Sequence, residues 1–146
     1  MDLNEGLKMK GELTIIHRDV DGNVKNSIHV PNLVVTAGKN FIASRMTGTT
    51  LNPMSHMAIG TSNATPAVAD TTLTIEAGRA TCTGSTTNNQ VTYTATFNAG
   101  VGTGAIVEAG IFNAASAGTM LCRTTFPTVT KQASDTIAIT WVVTVS

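Results

Sequence analysis

Alternating apolar and polar residues predict β-strands along most of the chain. Over residues 12–17 the side chains alternate, as expected for a strand with one buried face. An Asp-Gly pair within residues 19–23 is a strong hairpin signal, and residues 24–30 return as the partner strand. Pro31 is expected to end that strand or place it at a sheet edge, because proline cannot donate a ladder hydrogen bond. The chain therefore begins with a predicted hairpin over residues 10–31.

A single short helix is predicted near residues 36–47. Ile42 and Met46 lie four residues apart, so one face of the helix can be apolar. Thr36 is a plausible N-cap, and Gly48 marks the expected C-terminal end.

The remaining sequence predicts strand after strand. The segments are rich in Thr and other β-branched residues, and small polar residues separate them. A long loop is predicted at 62–72, and the glycine-rich stretch at 100–104 is interpreted as a hairpin connection. Residues 127–132 are interpreted as another separator. The predicted strands are residues 55–61, 74–84, 90–98, 104–112, 119–126 and 134–145.

These elements predict a mainly β protein: an antiparallel β-sandwich or jelly-roll-like barrel with one short helix. The length of 146 residues accommodates one domain. We expect a flexible N-terminal arm at residues 1–9 and a single β-sandwich domain at residues 10–146.

Composition narrows the function classes. Threonine supplies 26 of the 146 residues, and charged residues make up only 12%. Threonine hydroxyls keep the outer strand faces wet without charge. Nine Lys+Arg balance nine Asp+Glu, which argues against binding nucleic acid by broad phosphate neutralisation. The sequence has no apolar run long enough to predict a transmembrane helix and no signal-peptide pattern at its start, so we expect no membrane partner.

The histidines and cysteines favour structural roles. His17 and His29 lie near facing positions of the first hairpin, where we expect them on a solvated or interface face. His56 is interpreted as a core or subunit-contact residue, and no ligand spacing recommends a metal site. Cys82 and Cys122 are expected to be buried free thiols within strands.

The charged residues of the second half give no sign of paired acid–base catalysis. Asp70 precedes two threonines, as in an Asx-type turn, and Glu76 and Glu108 are isolated. Arg79 and Arg123 lie within predicted strands and are expected to form ion pairs with Glu76, Glu108 or a neighbouring subunit.

Other chemistry is equally weakly indicated. The 100–104 glycines lack the Lys-Ser/Thr of a nucleotide loop and lie between strands, so no phosphate or cofactor is expected there. A carbohydrate-binding sandwich would expose aromatic residues on loops, whereas Tyr93 and Trp141 lie inside strands. A hydrolase of cell-envelope polymers is a further alternative without a catalytic signature. We therefore predict no enzymatic activity, no catalytic or metal-binding residue and no cofactor.

An ordered set of short motifs resembles small virion structural proteins of tailed bacteriophages. The resemblance covers roughly residues 10–146, and the order of the motifs is more specific than any one of them. The motifs are NLVVTAGKNFIA (32–43), MSHMAIGT (54–61), ATPA (64–67), DTTL (70–73), EAGIFNA (108–114), GTMLCRTTFP (118–127) and DTIAITW (135–141).

The resemblance implies a non-enzymatic role in a phage particle. It implies first a capsid decoration, or cement, protein that binds at coat-subunit junctions and stabilises the shell. The alternative is a tail, collar or fibre-attachment component. The expected partners are the major capsid protein and further copies of the chain, as a dimer or trimer, or else tail proteins. The expected location is the virion, assembled in the host cytoplasm.

Overall fold

A computed structural model describes residues 6–48 and 51–146. Within them the chain forms nine antiparallel strands and one short helix, which confirms the predicted fold class. The elements are β1 (Met9–Arg18), β2 (Val24–Val34), α1 (Thr36–Arg45), β3 (His56–Gly60), β4 (Glu76–Thr81), β5 (Thr83–Thr87), β6 (Gln90–Phe97), β7 (Gly104–Phe112), β8 (Met120–Lys131) and β9 (Thr136–Val145).

The strands form two layers that nearly close into a barrel. Their order is β4-β3-β7-β8-β2-β1-β9-β6-β5. Most of β2 pairs with β1 in the first sheet, whereas Leu33 and Val34 pair with β8 in the second. At the opposite seam, β4 belongs to the second sheet and β5 to the first, with only Cys82 between them. Strands that change sheets are the usual way to make the corners of such a barrel.

The main core lies between the two sheets. It is built from alternate residues of facing strands, with Trp141 of β9, Leu13 and Ile15 of β1, and Ile111 of β7 fully buried. Trp141 lies between Leu13 and Tyr93 in the ladder. Full burial of such side chains contributes about 1.5–3 kcal/mol each. A strand turned over would lose this contribution at every apolar position, so the alternation seen in the sequence determines which face of each strand turns inward.

Two prolines lie inside strands, beyond the predicted strand ends. At Pro31 the strand does not end, but the alternative expectation of a sheet edge is confirmed, because β2 pairs only with β1 at this position. β2 continues through Pro31, whose carbonyl accepts a hydrogen bond from the Thr124 hydroxyl on the β8 side. The β8 ladder starts only at Leu33, so no ladder bond is lost for lack of the proline N–H. β8 likewise continues through the predicted separator 127–132 as far as Lys131, and Pro127 falls in an irregularity of its pairing with β7.

Two other sequence interpretations also need correction. The predicted strand 74–84 is divided at Cys82, where the chain changes sheet, so Cys82 lies between strands. The glycine-rich stretch at 100–104 is not a hairpin connection, because β6 and β7 belong to different sheets and do not pair. It crosses between the sheets, and Gly102 packs so closely on Ile59 that a side chain there would collide with it.

The helix was predicted at the correct place, but its start is capped differently. α1 ends at Arg45, and Val35 rather than Thr36 occupies the N-cap, with no side-chain cap bond. Gly38 allows the helix to lie on β8, because a Cβ at this position would collide with the Leu121 carbonyl oxygen.

The predicted N-terminal arm at residues 1–9 falls partly outside the described residues, which begin at Gly6. Within the described part, β1 starts at Met9. Lys8 exchanges two backbone hydrogen bonds with Ser146, at 2.7 and 2.8 Å. The last residues of the predicted arm are therefore paired with the end of the chain.

Candidate functional site

The long loop over residues 61–75, here called the cover loop, lies on the outer face of the second sheet. Its Leu73 packs with Ala58, Phe112 and Met120 in a second, smaller core. This explains why β7 is buried on both faces from Ile106 onward. Loops of this length without regular structure are uncommon in compact domains and are often functional.

A buried carboxylate holds the cover loop in place. Glu108 of β7 is fully buried and accepts backbone N–H hydrogen bonds from Ser62, Thr74 and Ile75 at 2.9–3.0 Å. Gly60 leaves room for this arrangement, since a Cβ there would approach both the Glu108 carboxylate and the Ile75 carbonyl. One side chain therefore binds both ends of the loop.

Arg123 of β8 completes the anchor. Its guanidinium donates to Glu108 at 3.0 Å and to Asp70 at 3.0 Å, and it also reaches the Ala64 carbonyl. Of the partners that the sequence left open for Arg123, Glu108 is the one observed, whereas Asp70 was not among them. Asp70 accepts the N–H of Ala67, three residues before it, so its carboxylate closes the turn 67–70 and does not form the predicted Asx-type turn with the two threonines that follow. Both carboxylates are bound to the same cation, and Glu108 has no exposed surface, so the cluster cannot work as an acid–base pair on a substrate.

The outer surface of the cover loop is almost uncharged. Asp70 is the only ionisable residue between 61 and 75, and it is paired with Arg123. Val68 and Ile75 are half exposed, at 50% and 56%. The loop therefore presents apolar and hydroxyl groups on a fixed backbone, a surface suited to contact with another protein.

Arg79 also forms an ion pair with one of the partners that the sequence left open. Arg79 of β4 binds Glu76 at 2.7 Å and donates to the carbonyls of Ala114 and Ala117. Its guanidinium carbon lies 4.0 Å from the centre of the Phe112 ring, which is a cation–π distance. Arg79 thus ties the β7–β8 loop to the edge of the second sheet.

His17 belongs to a buried polar cluster, and the prediction of a solvated or interface face was wrong for this residue. Its Nε2 lies 2.8 Å from a carboxylate oxygen of Asp135, and its Nδ1 lies 3.0 Å from the amide nitrogen of Asn26. Because that amide donates, Nδ1 accepts and the ring proton sits on Nε2, facing Asp135. Hydrogen bonds from the Gln132 N–H and from His17, together with Lys25, hold the pKa of Asp135 well below its usual range. The cluster fastens the β8–β9 loop to the first hairpin.

The other histidines lie apart from this cluster. His29 is exposed, on the opposite part of the hairpin, and bonds to Thr14 and Glu12. His17 pairs across the ladder with Asn26 instead. His56 is half-buried and bonds to the Ser55 hydroxyl. Among residues 6–48 and 51–146, no group of three His, Cys, Asp or Glu side chains is placed to hold a metal ion.

Both cysteines are buried free thiols, as predicted. Burial raises the pKa of the Cys82 thiol to about 11 and raises that of Cys122 well above its usual value. A thiol with a raised pKa forms little thiolate at neutral pH and is a poor nucleophile.

An apolar groove of about 560 Å³ lies between α1 and the end of the first sheet. Leu7, Met9, Ile42 and Met46 line it, together with Lys8 and Lys39. A smaller cavity beside it leads toward Tyr93. Among the described residues that line the groove, only Lys8 and Lys39 are ionisable.

Sequence reasoning missed two connections of the site. The pairing of Asp70 with Arg123 and of His17 with Asp135 spans 53 and 118 residues, and no local pattern marks either contact. A usable signal for the first was the isolation of Glu108 inside an apolar strand, since a buried carboxylate requires partners.

None of the described helices is long and apolar enough to span a membrane. Comparison of the chain with models of known protein families, with curated proteins and with solved structures finds no match.

Proposed function

We propose that the chain is a non-enzymatic structural component of a tailed-phage particle, most specifically a capsid decoration protein that binds at coat-subunit junctions. The proposal rests on the ordered motifs and on one structural observation: the cover loop is held in place, and its only ionisable residue, Asp70, is paired with Arg123. A preformed loop loses little conformational entropy when it binds, so a small contact can still hold.

The motif segments support this proposal because several of them meet at the loop anchor. Segments 64–67 and 70–73 lie in the cover loop, while 108–114 and 118–127 supply Glu108 and Arg123. The sequence features behind the resemblance are thus also the features that build the exposed surface. Many copies on a shell would multiply a modest contact into a large stabilisation.

A cryo-EM map of the phage whose genome encodes this chain tests where the protein lies in the particle. Density in hundreds of copies at coat-subunit junctions is expected. Density confined to the tail, in a few to a dozen copies, would overturn the capsid proposal and favour the tail alternative.

A binding assay tests the surface. Shells lacking the protein are mixed with the wild type, with Val68→Lys, or with the control Val20→Lys, which alters an exposed valine of the first hairpin turn. We expect Val68→Lys alone to weaken attachment, since it places an unpaired charge in an apolar contact. Attachment of the wild type should weaken only modestly with salt. If Val68→Lys and Val20→Lys bind the shells equally well, the cover loop does not form the contact.

A further inference from the structure

Strand β5 ends the first sheet with one side unpaired. It pairs with β6, and among the residues that the structure describes no strand lies on its other side. All five of its residues, Thr83–Thr87, are exposed. Edge strands usually carry charges, proline or a bulge that prevents pairing with another chain, and β5 has none of these. The other end strand, β4, carries the Glu76–Arg79 ion pair.

The ladder shows which backbone groups of β5 face outward. The Asn89 carbonyl accepts the Val145 N–H, so Asn89 is directed toward β9. Backbone direction alternates along a strand, and Gln90, Thr92 and Thr94 therefore face β5. Their partners Thr87, Ser85 and Thr83 in turn face β6. The N–H and C=O groups of the two remaining residues, Gly84 and Thr86, are directed at the open edge.

We propose that β5 pairs with β5 of a second copy, antiparallel about a two-fold axis at Ser85. This register places Gly84 opposite Thr86 of the partner copy, and the reverse. Both are residues whose polar groups face outward, so each pair exchanges two backbone hydrogen bonds and the edge gains four. Ser85 then faces its own copy at the closely spaced, non-hydrogen-bonded position.

The side chains of β5 suit this self-pairing. None is charged, so no like charges meet across the axis, and Thr83 faces Thr87 as a hydroxyl pair. On the inner face, Gly84 lies against the Tyr93 ring, which a Cβ at that position would approach to 3.0 Å. The partner's Thr86 enters beside Gly84 on the same face as Tyr93. The interface is thus self-complementary, as a two-fold dimer requires.

The inference does not depend on the virion role, because it concerns only the isolated chain. Sedimentation of the wild type should show a monomer–dimer equilibrium that is nearly independent of salt. Ser85→Lys and Ser85→Glu should each be monomeric, since like charges then meet at the axis. An equimolar mixture of the two variants should restore dimers, because opposite charges now meet. Thr103→Lys, with the same added charge on an exposed loop residue, should dimerise like the wild type.

Thr86→Pro tests the hydrogen-bonding pattern. It removes an outward N–H and no bond to β6, so the fold should persist while dimerisation weakens about tenfold or more, since the loss occurs twice per dimer. A circular-dichroism spectrum and melting curve like those of the wild type would confirm that the fold is intact.

A wild type that stays monomeric at its highest soluble concentration would overturn the proposal. So would mixed charge variants that remain monomeric, or dimers unaffected by either Ser85 substitution. None of these results bears on where the chain lies in a phage particle, so failure of the dimer proposal is distinct from failure of the proposed function.

Discussion

Glu108→Gln should strongly destabilise the fold. The carboxylate accepts three backbone N–H groups and two guanidinium bonds at a fully buried position. Glutamine supplies one acceptor oxygen, and its amide N–H₂ would face donors. Arg123 would keep its charge while losing its buried partner.

Breaking one side of a buried ion pair costs about 3–5 kcal/mol, a large share of the roughly 5–15 kcal/mol that stabilises a typical domain. With a urea m-value near 2 kcal/mol/M, the unfolding midpoint should fall by about 2 M. Amide hydrogen exchange adds a local measurement, because Ser62, Thr74 and Ile75 should lose protection together.

Glu76→Gln is the matched control. It makes the same chemical change in the partly exposed Glu76–Arg79 pair, where the loss should stay under about 1 kcal/mol. If both variants unfold at the same urea concentration, or if cover-loop protection survives in Glu108→Gln, then Glu108 does not anchor the loop.

Two further predictions concern titration. Because the folded pKa of Asp135 is depressed, its contribution to stability is present above the unfolded pKa near 4 and is lost as pH falls toward the folded value. The urea concentration at the unfolding midpoint of the wild type should therefore decrease as the pH is lowered below 4. In Asp135→Asn this decrease at acid pH should be smaller. The raised thiol pKa values of Cys82 and Cys122 predict negligible labelling by a thiol reagent at pH 8 in the native state and two labels per chain after unfolding.

Each titration prediction can fail clearly. An equal decrease at acid pH in Asp135→Asn would assign the pH dependence to other carboxylates. Rapid native labelling at pH 8 would show that at least one thiol is accessible as thiolate.

The alternation of apolar and polar residues was sufficient to predict strands that have one buried and one exposed face. β1 and β9 were predicted nearly in full, because each packs one face on the core and alternate residues record this directly. Pro127 was wrongly taken to end a strand, and Pro31 lies at a sheet edge without ending its strand, since the cost of a proline depends on whether a neighbouring strand needs its N–H. The sequence alone does not contain that information.

The candidate site was predictable only in part. Arg123 was expected to form an ion pair because it is a charge within a predicted strand, but the sequence left Glu76, Glu108 and a neighbouring subunit open as its partner. That the cover loop folds over Arg123 and Glu108 depends on the long-range order of strands, as does the burial of His17 against Asp135. Local residue patterns do not specify which distant segments become neighbours.

The two seams of the barrel have a mechanical consequence. β2 crosses between the sheets at one seam, and the continuous segment 76–87 crosses at the other. The two layers are thus joined at one seam by a strand that pairs in both and at the other by two strands with a single residue between them. The first and last strands also pair, so residues 9–18 must find residues 136–145 before the first sheet is complete. Such a topology favours a single cooperative unfolding transition and slow folding. Both seams resist sliding of one sheet over the other.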